Sequence, residues 1–145
     1  SGAVDVALCF GWIDSKKIKI DHETSHQFFS KRKEKSTWSR INKEKVQQLI
    51  DQGLMTVAGY ESIEIAKQNG SWTILDEVEK LIIPADLNEA FGKHKGSKAY
   101  FQGLSKSSQK MMLSWIVLAK RPETRLKRIE EIAILAGQKQ KPKQF

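Results

Sequence analysis

The chain has 145 residues, 39% of them hydrophobic, and its 25 Lys or Arg against 17 Asp or Glu give a formal net charge of +8. This composition supports a folded core and excludes a wholly disordered chain. No apolar run approaches the roughly 20 residues of a membrane-spanning helix. The single cysteine, Cys9, cannot form a disulfide within the chain. A free cysteine is typical of reducing compartments, so we expect a cytoplasmic protein.

Charge is unevenly distributed along the chain. Residues 1–50 carry 10 Lys or Arg and 6 Asp or Glu, residues 51–92 carry 2 and 8, and residues 93–145 carry 13 and 3. An acidic segment therefore lies between two basic ones. Either the acidic segment neutralises the basic ones in the fold, or the basic ends form one patch that faces an anionic partner.

Residues 4–52 are predicted to form an N-terminal α/β portion. An apolar helix begins abruptly at Val4 and ends near Gly11, which indicates that further sequence belongs upstream. Hydrophobic residues then alternate with a period of two over residues 16–30, on both sides of the polar segment 21–24, and this pattern predicts a β-hairpin. Because an isolated hairpin is only marginally stable in water, we expect an additional strand from the upstream part.

A basic loop over residues 31–40 and a helix over residues 43–52 complete this portion, and Asn42 is predicted to cap the helix. Residues 53–83 are interpreted as an acidic helical connector. Its main helix begins at Thr56, a good N-cap residue.

Residues 84–138 are predicted to form a C-terminal helical domain, in which the clearest helix spans residues 106–120. A last helix begins at Pro122 and directs Leu126, Ile129, Ile132, Ala133 and Ala136 inward. Residues 139–145 are expected to be a mobile basic tail. The predicted fold class is α+β and predominantly helical, with a small β-hairpin packed on a helix and a C-terminal helical module after it.

Catalytic and metal-binding patterns are weak. Cys9 lies in an apolar helix, which favours a buried core residue over a nucleophile. His22 and His26 fall in the hairpin and His94 is distant, so no zinc spacing is present. No phosphate-binding glycine motif or nucleophile elbow occurs. We expect neither a cofactor nor a metal, and an enzyme only if its site is assembled from scattered residues.

Two basic clusters are candidates for binding an anion or another ligand. The first lies in the loop after the hairpin, where cations and hydroxyl groups suit phosphate and an indole can stack on a base. Its members are Arg32, Lys33, Trp38, Ser39, Arg40 and Asn42. The alternative interpretation makes Trp38 a core residue or a lid.

The second cluster contains Arg121, Arg125 and Arg128, spaced so that they share one helix face. These arginines either bind an anion or pair with acidic residues of the middle segment. No helix-turn-helix or RNA-recognition signature supports sequence-specific binding of nucleic acid.

Three motifs in this order resemble one bacterial family. Residues 7–14 read ALCFGWID; residues 29–33 read FSKRK and are followed by STWSRINK at 36–43; residues 104–107 read LSKS, and residues 119–125 read AKRPETR. This pattern, over about 4–137, resembles the YdeI/OmpD-associated family, whose C-terminal part is called the bacteriocin-protection domain.

The chain departs from the family pattern at Ser30 and Lys31, where the family usually has Thr-Pro. The resemblance also implies an N-terminal helix and strand that this chain lacks. It implies a bacterial protein linked to bacteriocin or antimicrobial-peptide resistance, or to an envelope stress response, and it supplies no catalytic residues.

We therefore expect a non-enzymatic binding protein with a protein or small-molecule partner. The alternatives are a protein that binds nucleic acid or another anion through the basic clusters, and an enzyme with a dispersed site. A homodimer through the hairpin edge is also expected, because an unpaired strand edge recruits another chain.

Overall fold

The computed structural model describes residues 2–19 and 25–145, and it describes side chains outside residues 15–27. These residues form eight helices and one two-stranded antiparallel sheet, which confirms the predicted α+β, predominantly helical class. They divide into two compact units, unit 1 (Ser1–Ile74) and unit 2 (Leu75–Phe145). Among the described residues, no helix is both long enough and apolar enough to cross a membrane.

Unit 1 combines the hairpin with three helices, and the hairpin is longer than predicted. The strands pair from Trp12 with Lys31 to Lys19 with Ser25, and the register shifts between Asp14 and Lys16. The predicted connection at residues 21–24 lies outside the described residues. The elements are α1 (Gly2–Cys9), β1 (Trp12–Lys19), β2 (Ser25–Lys31), α2 (Arg40–Asp51) and α3 (Val57–Asn69).

The start of α2 differs from the prediction. Ser39, and not Asn42, is the N-cap residue: its backbone is extended and its hydroxyl accepts a hydrogen bond from the Asn42 backbone N–H. Both residues are good caps, but the serine comes three positions earlier, and its hydroxyl satisfies an N–H that the first turn would leave unbonded. Thr56 caps α3 as predicted, with its hydroxyl accepting from the Gly59 N–H.

Close packing of α1 on the start of α3 organises the core of unit 1. Gly59 allows it, because a Cβ atom there would collide with the carbonyl oxygen of Cys9. That same carbonyl accepts hydrogen bonds from the backbone N–H and the hydroxyl of Thr56. The buried core consists of Leu8, Cys9, Trp38, Val46, Leu49, Ile63 and Ala66.

Unit 2 is entirely helical. Its core contains Phe91 and Phe101, whose ring centroids lie 5.4 Å apart, and the apolar faces of the last two helices. Leu126 is 56% exposed, so the prediction that it faces inward is wrong. The elements are α4 (Asp76–Glu79), α5 (Ala85–Gly92), α6 (Ser97–Gly103), α7 (Lys106–Val117) and α8 (Pro122–Gly137).

The C-terminal residues pack against the rest of unit 2. The sequence predicts a mobile tail over residues 139–145, whereas the structure buries Pro142 and places the Phe145 ring edge-on to Trp115, with centroids 5.4 Å apart. The basic composition of the segment hides these two apolar contacts from a sequence-based prediction.

Candidate binding sites

Arg32 is the most enclosed residue of the first basic cluster. Its side chain is 6% exposed, and its guanidinium lies 3.7 Å from the centroid of the Trp38 ring. Nη1 donates to the Thr37 carbonyl at 3.0 Å, while Nε and Nη2 have no hydrogen-bond partner among the described residues. Burial lowers the pKa of Arg32 to about 10, against the opposing effect of Asp14. The side chain therefore stays charged at neutral pH inside the protein.

Trp38 belongs to the core. It is 1% exposed, its ring centroid lies 5.0 Å from that of Trp72, and Arg32 occupies one side of its ring. A nucleobase needs an open aromatic face to stack. The environment of Trp38 therefore favours the core interpretation over base stacking.

The remaining members of the first cluster do not converge on one point. Ser39 and Asn42 bond to each other at the start of α2. Arg40 pairs with Glu44 at 2.9 Å on the exposed surface of the same helix, and Lys33 is exposed. The structure thus divides this cluster into a buried pair, a helix cap and two surface cations.

A cleft of about 390 Å³ lies beside the buried pair. The segment from Lys31 to Glu34 forms one side, and α3 forms the other through residues that include Glu61 and Ser62. Sequence reasoning missed the α3 residues, because about thirty positions separate them from the basic loop. The cleft carries cationic and acidic groups together, so it is not a purely anion-attracting surface.

Arg125 of the second cluster is paired within unit 2. Its Nε donates to Asp86 Oδ2 at 2.7 Å and its Nη2 donates to Oδ1 at 3.0 Å, a bidentate geometry. The hydrogen bond from Arg125 lowers the pKa of Asp86, and the same bond raises the pKa of Arg125. Asp86 belongs to the acidic middle segment, so here the acidic segment neutralises a basic one.

Arg128 is also engaged within unit 2, whereas Arg121 is not. Arg128 Nη1 donates to the Trp115 carbonyl at 2.5 Å, and its guanidinium lies 5.0 Å from the centroid of that indole ring. Arg121 is exposed at the N-cap position of α8, and within residues 75–145 the structure gives its side chain no partner. The arginine stripe therefore offers one unengaged cation instead of three.

A groove of about 420 Å³ runs between α5 and α8. Leu126 and Ile134, which are 56% and 44% exposed, line it together with Glu130 of the same helix. Asp86, Glu89, Ala90, Lys93 and His94 line it from α5 and the residues after it. The sequence signal for this groove is the extra apolar residue on each turn of α8, which an inward-facing helix interpretation absorbs into the core.

Cys9 fits its predicted structural role. It is 6% exposed, and burial raises the pKa of its thiol, with a further rise from the negative charge of Asp5. A raised pKa disfavours the thiolate that a nucleophile requires. Among the described residues, no group of three or more His, Cys, Asp or Glu side chains is arranged to hold a metal ion.

Comparison with known protein families divides the chain into two parts that correspond approximately to unit 1 and unit 2. Residues 1–62 match the model of a domain of unknown function, DUF8412. Residues 80–138, within unit 2, match the model described as "Bacteriocin-protection, YdeI or OmpD-Associated". No curated protein and no solved structure matches the chain. The family resemblance is thus confirmed in the C-terminal part of the chain, through the match of residues 80–138 to this family model.

Proposed function

We propose that this chain is a non-enzymatic binding protein that contributes to protection against bacteriocins or other antimicrobial peptides. The match of residues 80–138 to the bacteriocin-protection family supports the biological role. The choice of partner rests on one observation: Arg125 and Arg128 make hydrogen bonds within unit 2. Because each of these guanidinium groups already makes a hydrogen bond within unit 2, the arginine stripe is less suited to nucleic acid, and a protein or peptide partner is favoured.

The titratable groups support a binding role over catalysis. Among the described residues, shifted pKa values belong to Cys9, Arg32, Asp86 and Arg125. Each shift has a structural cause: burial in the core for Cys9 and Arg32, and one ion pair for Asp86 and Arg125. Perturbed groups that converge in one cleft would instead indicate an active site.

The proposal is tested by survival of a bacteriocin-sensitive strain with and without expression of the chain. We expect expression to raise the fraction of cells that survive a panel of pore-forming bacteriocins. Leu113→Asp is the negative control, because it places a charge at a fully buried position and prevents folding. Equal killing with the intact chain and with Leu113→Asp, across the panel, would contradict the proposal.

A cytoplasmic location is part of the proposal, because the lone Cys9 suits a reducing compartment. Fractionation of the expressing strain tests it, and recovery of the chain in another compartment would contradict it.

A second copy of the chain is proposed as a further partner, through the hairpin. Among residues 2–19 and 25–145, β1 and β2 pair only with each other, so each strand presents an edge that another strand can extend. Sedimentation at increasing protein concentration is expected to show a rising average mass. A constant monomer mass over the whole concentration range would contradict strand pairing between copies.

Anion binding in unit 1 is a second candidate function, favoured by the placement of Lys31, Arg32 and Lys33 along one cleft. Titration with inorganic phosphate, with Lys31→Gln/Lys33→Gln as the variant, tests it. Binding that the double variant loses would support this candidate, and the absence of binding by the intact chain would contradict it.

A further inference from the structure

We infer that the groove between α5 and α8 binds a short cationic amphipathic helix, an inference that rests on the proposed function and names the partner chemistry. The α5–α8 groove is defined here by its apolar residues Leu126 and Ile134, its floor residues Ile129 and Ala133, and its acidic residues Glu89 and Glu130. All of them belong to the segment that matches the bacteriocin-protection family.

The two helices that form the groove run in the same direction. Asp86, at the start of α5, bonds to Arg125 near the start of α8. At the other end, a Cβ atom added to Gly137 would lie 3.1 Å from the Cβ of His94. Glycine thus lets the ends of the helices approach closely. The two helices therefore approach each other at both ends, and the groove lies between these two contacts.

Apolar residues line the groove in a helical pattern. Leu126, Glu130 and Ile134 are four positions apart, so they share one face of α8. Ile129 and Ala133 are buried and form the floor. The rise of about 1.5 Å per residue makes the stretch from Leu126 to Ile134 about 12 Å long, which matches roughly two turns of a bound helix. A helix laid into a groove is a common mode of peptide recognition.

The negative charges at the centre of the groove favour a cationic ligand. Within residues 75–145, the structure gives the carboxylates of Glu89 and Glu130 no hydrogen bond or ion pair, while Arg125 neutralises Asp86. Glu89 comes from α5 and Glu130 from α8, so one acidic group lies on each side of the apolar floor. A ligand with Lys or Arg on both flanks of an apolar stripe would complement this arrangement.

The opposite end of the groove sets the orientation of the ligand. Lys93 and His94 line that end, and the exposed Lys95 follows them. The C-terminus of a helix carries partial negative charge, and a free carboxylate adds a full one. The bound helix is therefore oriented with its C-terminus towards Lys93, and a free C-terminal carboxylate binds better than an amide.

The probe for the test is a fluorescein-labelled peptide of roughly 14 residues, made of leucine and lysine at helical spacing and with a free C-terminus. Its control is a scrambled peptide of the same composition. Fluorescence anisotropy with the full chain is expected to give a dissociation constant in the micromolar range, because the contact is small. The scrambled peptide is expected to bind at least about tenfold more weakly, since its apolar residues cannot enter the groove together.

Matched variants locate the binding surface. Glu89→Gln/Glu130→Gln is expected to weaken binding about three- to tenfold, whereas Glu131→Gln, on the same helix but outside the groove, leaves it unchanged. Leu126→Ala/Ile134→Ala is expected to weaken binding about tenfold or more. Met111→Ala, at a residue of α7 that is 47% exposed, is its control. Thermal melting verifies that these surface variants fold.

Three results would overturn the inference: equal affinity for the scrambled peptide, equal effects of Glu131→Gln and the groove variants, or no effect of the groove variants. The survival assay separates this inference from the proposed function. Protection that persists in Leu126→Ala/Ile134→Ala would remove the groove as the partner site and leave the function standing. Groove-dependent binding without protection by the intact chain would contradict the function and support the groove as a peptide site.

Discussion

Arg32 in unit 1 and Arg125 in unit 2 illustrate two ways in which a folded protein holds a cation. Arg32 is buried against Trp38, and two of its nitrogens have no described partner. Arg125 lies near the surface and makes a bidentate pair with Asp86. The pKa of Arg32 is accordingly lowered and that of Arg125 raised. Burial disfavours the charged form, and pairing with an opposite charge favours it.

The surroundings of the two arginines affect which ligands each unit can bind. Arg125 is held by Asp86, whereas Arg32 keeps two nitrogens without a described partner beside the cleft of unit 1. In the α5–α8 groove of unit 2, two carboxylates without a partner among residues 75–145 lie beside exposed apolar residues. The net charge of +8 is therefore a poor guide to the ligand, because the local environment of each charge determines what it can bind.

The largest expected effect on stability comes from replacing Trp38, whose indole ring lies against the Arg32 guanidinium. Trp38→Ala is expected to lower the free energy of unfolding by about 3–5 kcal/mol, because it removes a buried aromatic side chain and leaves a cavity. Chemical denaturation measures this. Trp12→Ala is the control, since Trp12 is 43% exposed and its loss should cost much less. A loss below about 1 kcal/mol for Trp38→Ala would show that Trp38 is not part of the core.

Arg32→Met sharpens the comparison of the two arginines. Methionine keeps contact with the Trp38 ring but removes a buried charge and the two nitrogens that lack a partner among the described residues. The free energy of unfolding is therefore expected to stay the same or to rise by up to about 2 kcal/mol. Arg125→Met is expected to lower it by about 0.5–1 kcal/mol, because Asp86 loses its partner. If Arg32→Met were the more destabilising of the two, the assignment of Arg32 as a poorly satisfied charge would be wrong.

A smaller effect is expected from the pH dependence of the Asp86–Arg125 pair. The pKa of Asp86 is lower in the folded chain than in the unfolded one. The stability that the pair contributes is therefore present above the unfolded pKa of about 3.9 and is lost as the pH falls through the folded value. Because the Arg125 side chain is 33% exposed and that of Asp86 is 47% exposed, solvent screening limits the contribution to roughly 0.5 kcal/mol.

Asp86→Asn is expected to remove this component from the curve of unfolding free energy against pH, while Asp76→Asn should leave it in place. Curves for the wild type and for Asp86→Asn that differ by a constant at every pH would contradict the assignment.

Local features of the fold could be predicted because nearby residues determine them. Thr56 caps α3 where the sequence indicates, since a cap depends on a hydroxyl and the next three residues. The choice between Ser39 and Asn42 could not be predicted, because both residue types are good caps. The hairpin was also predictable from its alternating pattern.

The candidate sites depend on contacts between distant parts of the chain. Asp86 and Arg125 are 39 positions apart, and the cleft beside Arg32 requires Glu61 of α3. Periodicity places Leu126 on the apolar side of α8, but it does not show which residues of that side α5 buries. The exposure of Leu126, and with it the groove, follows only from how α5 packs.

The most direct test of the claim that the arginines serve the fold is binding of fluorescein-labelled single-stranded DNA, measured by anisotropy at about 50 mM salt. The wild-type chain is expected to show no measurable binding. Tight binding with a log–log salt slope of roughly −0.7 per phosphate contact, reduced by about two contacts in Arg125→Gln/Arg128→Gln, would contradict it and return the arginine stripe to a nucleic-acid interface.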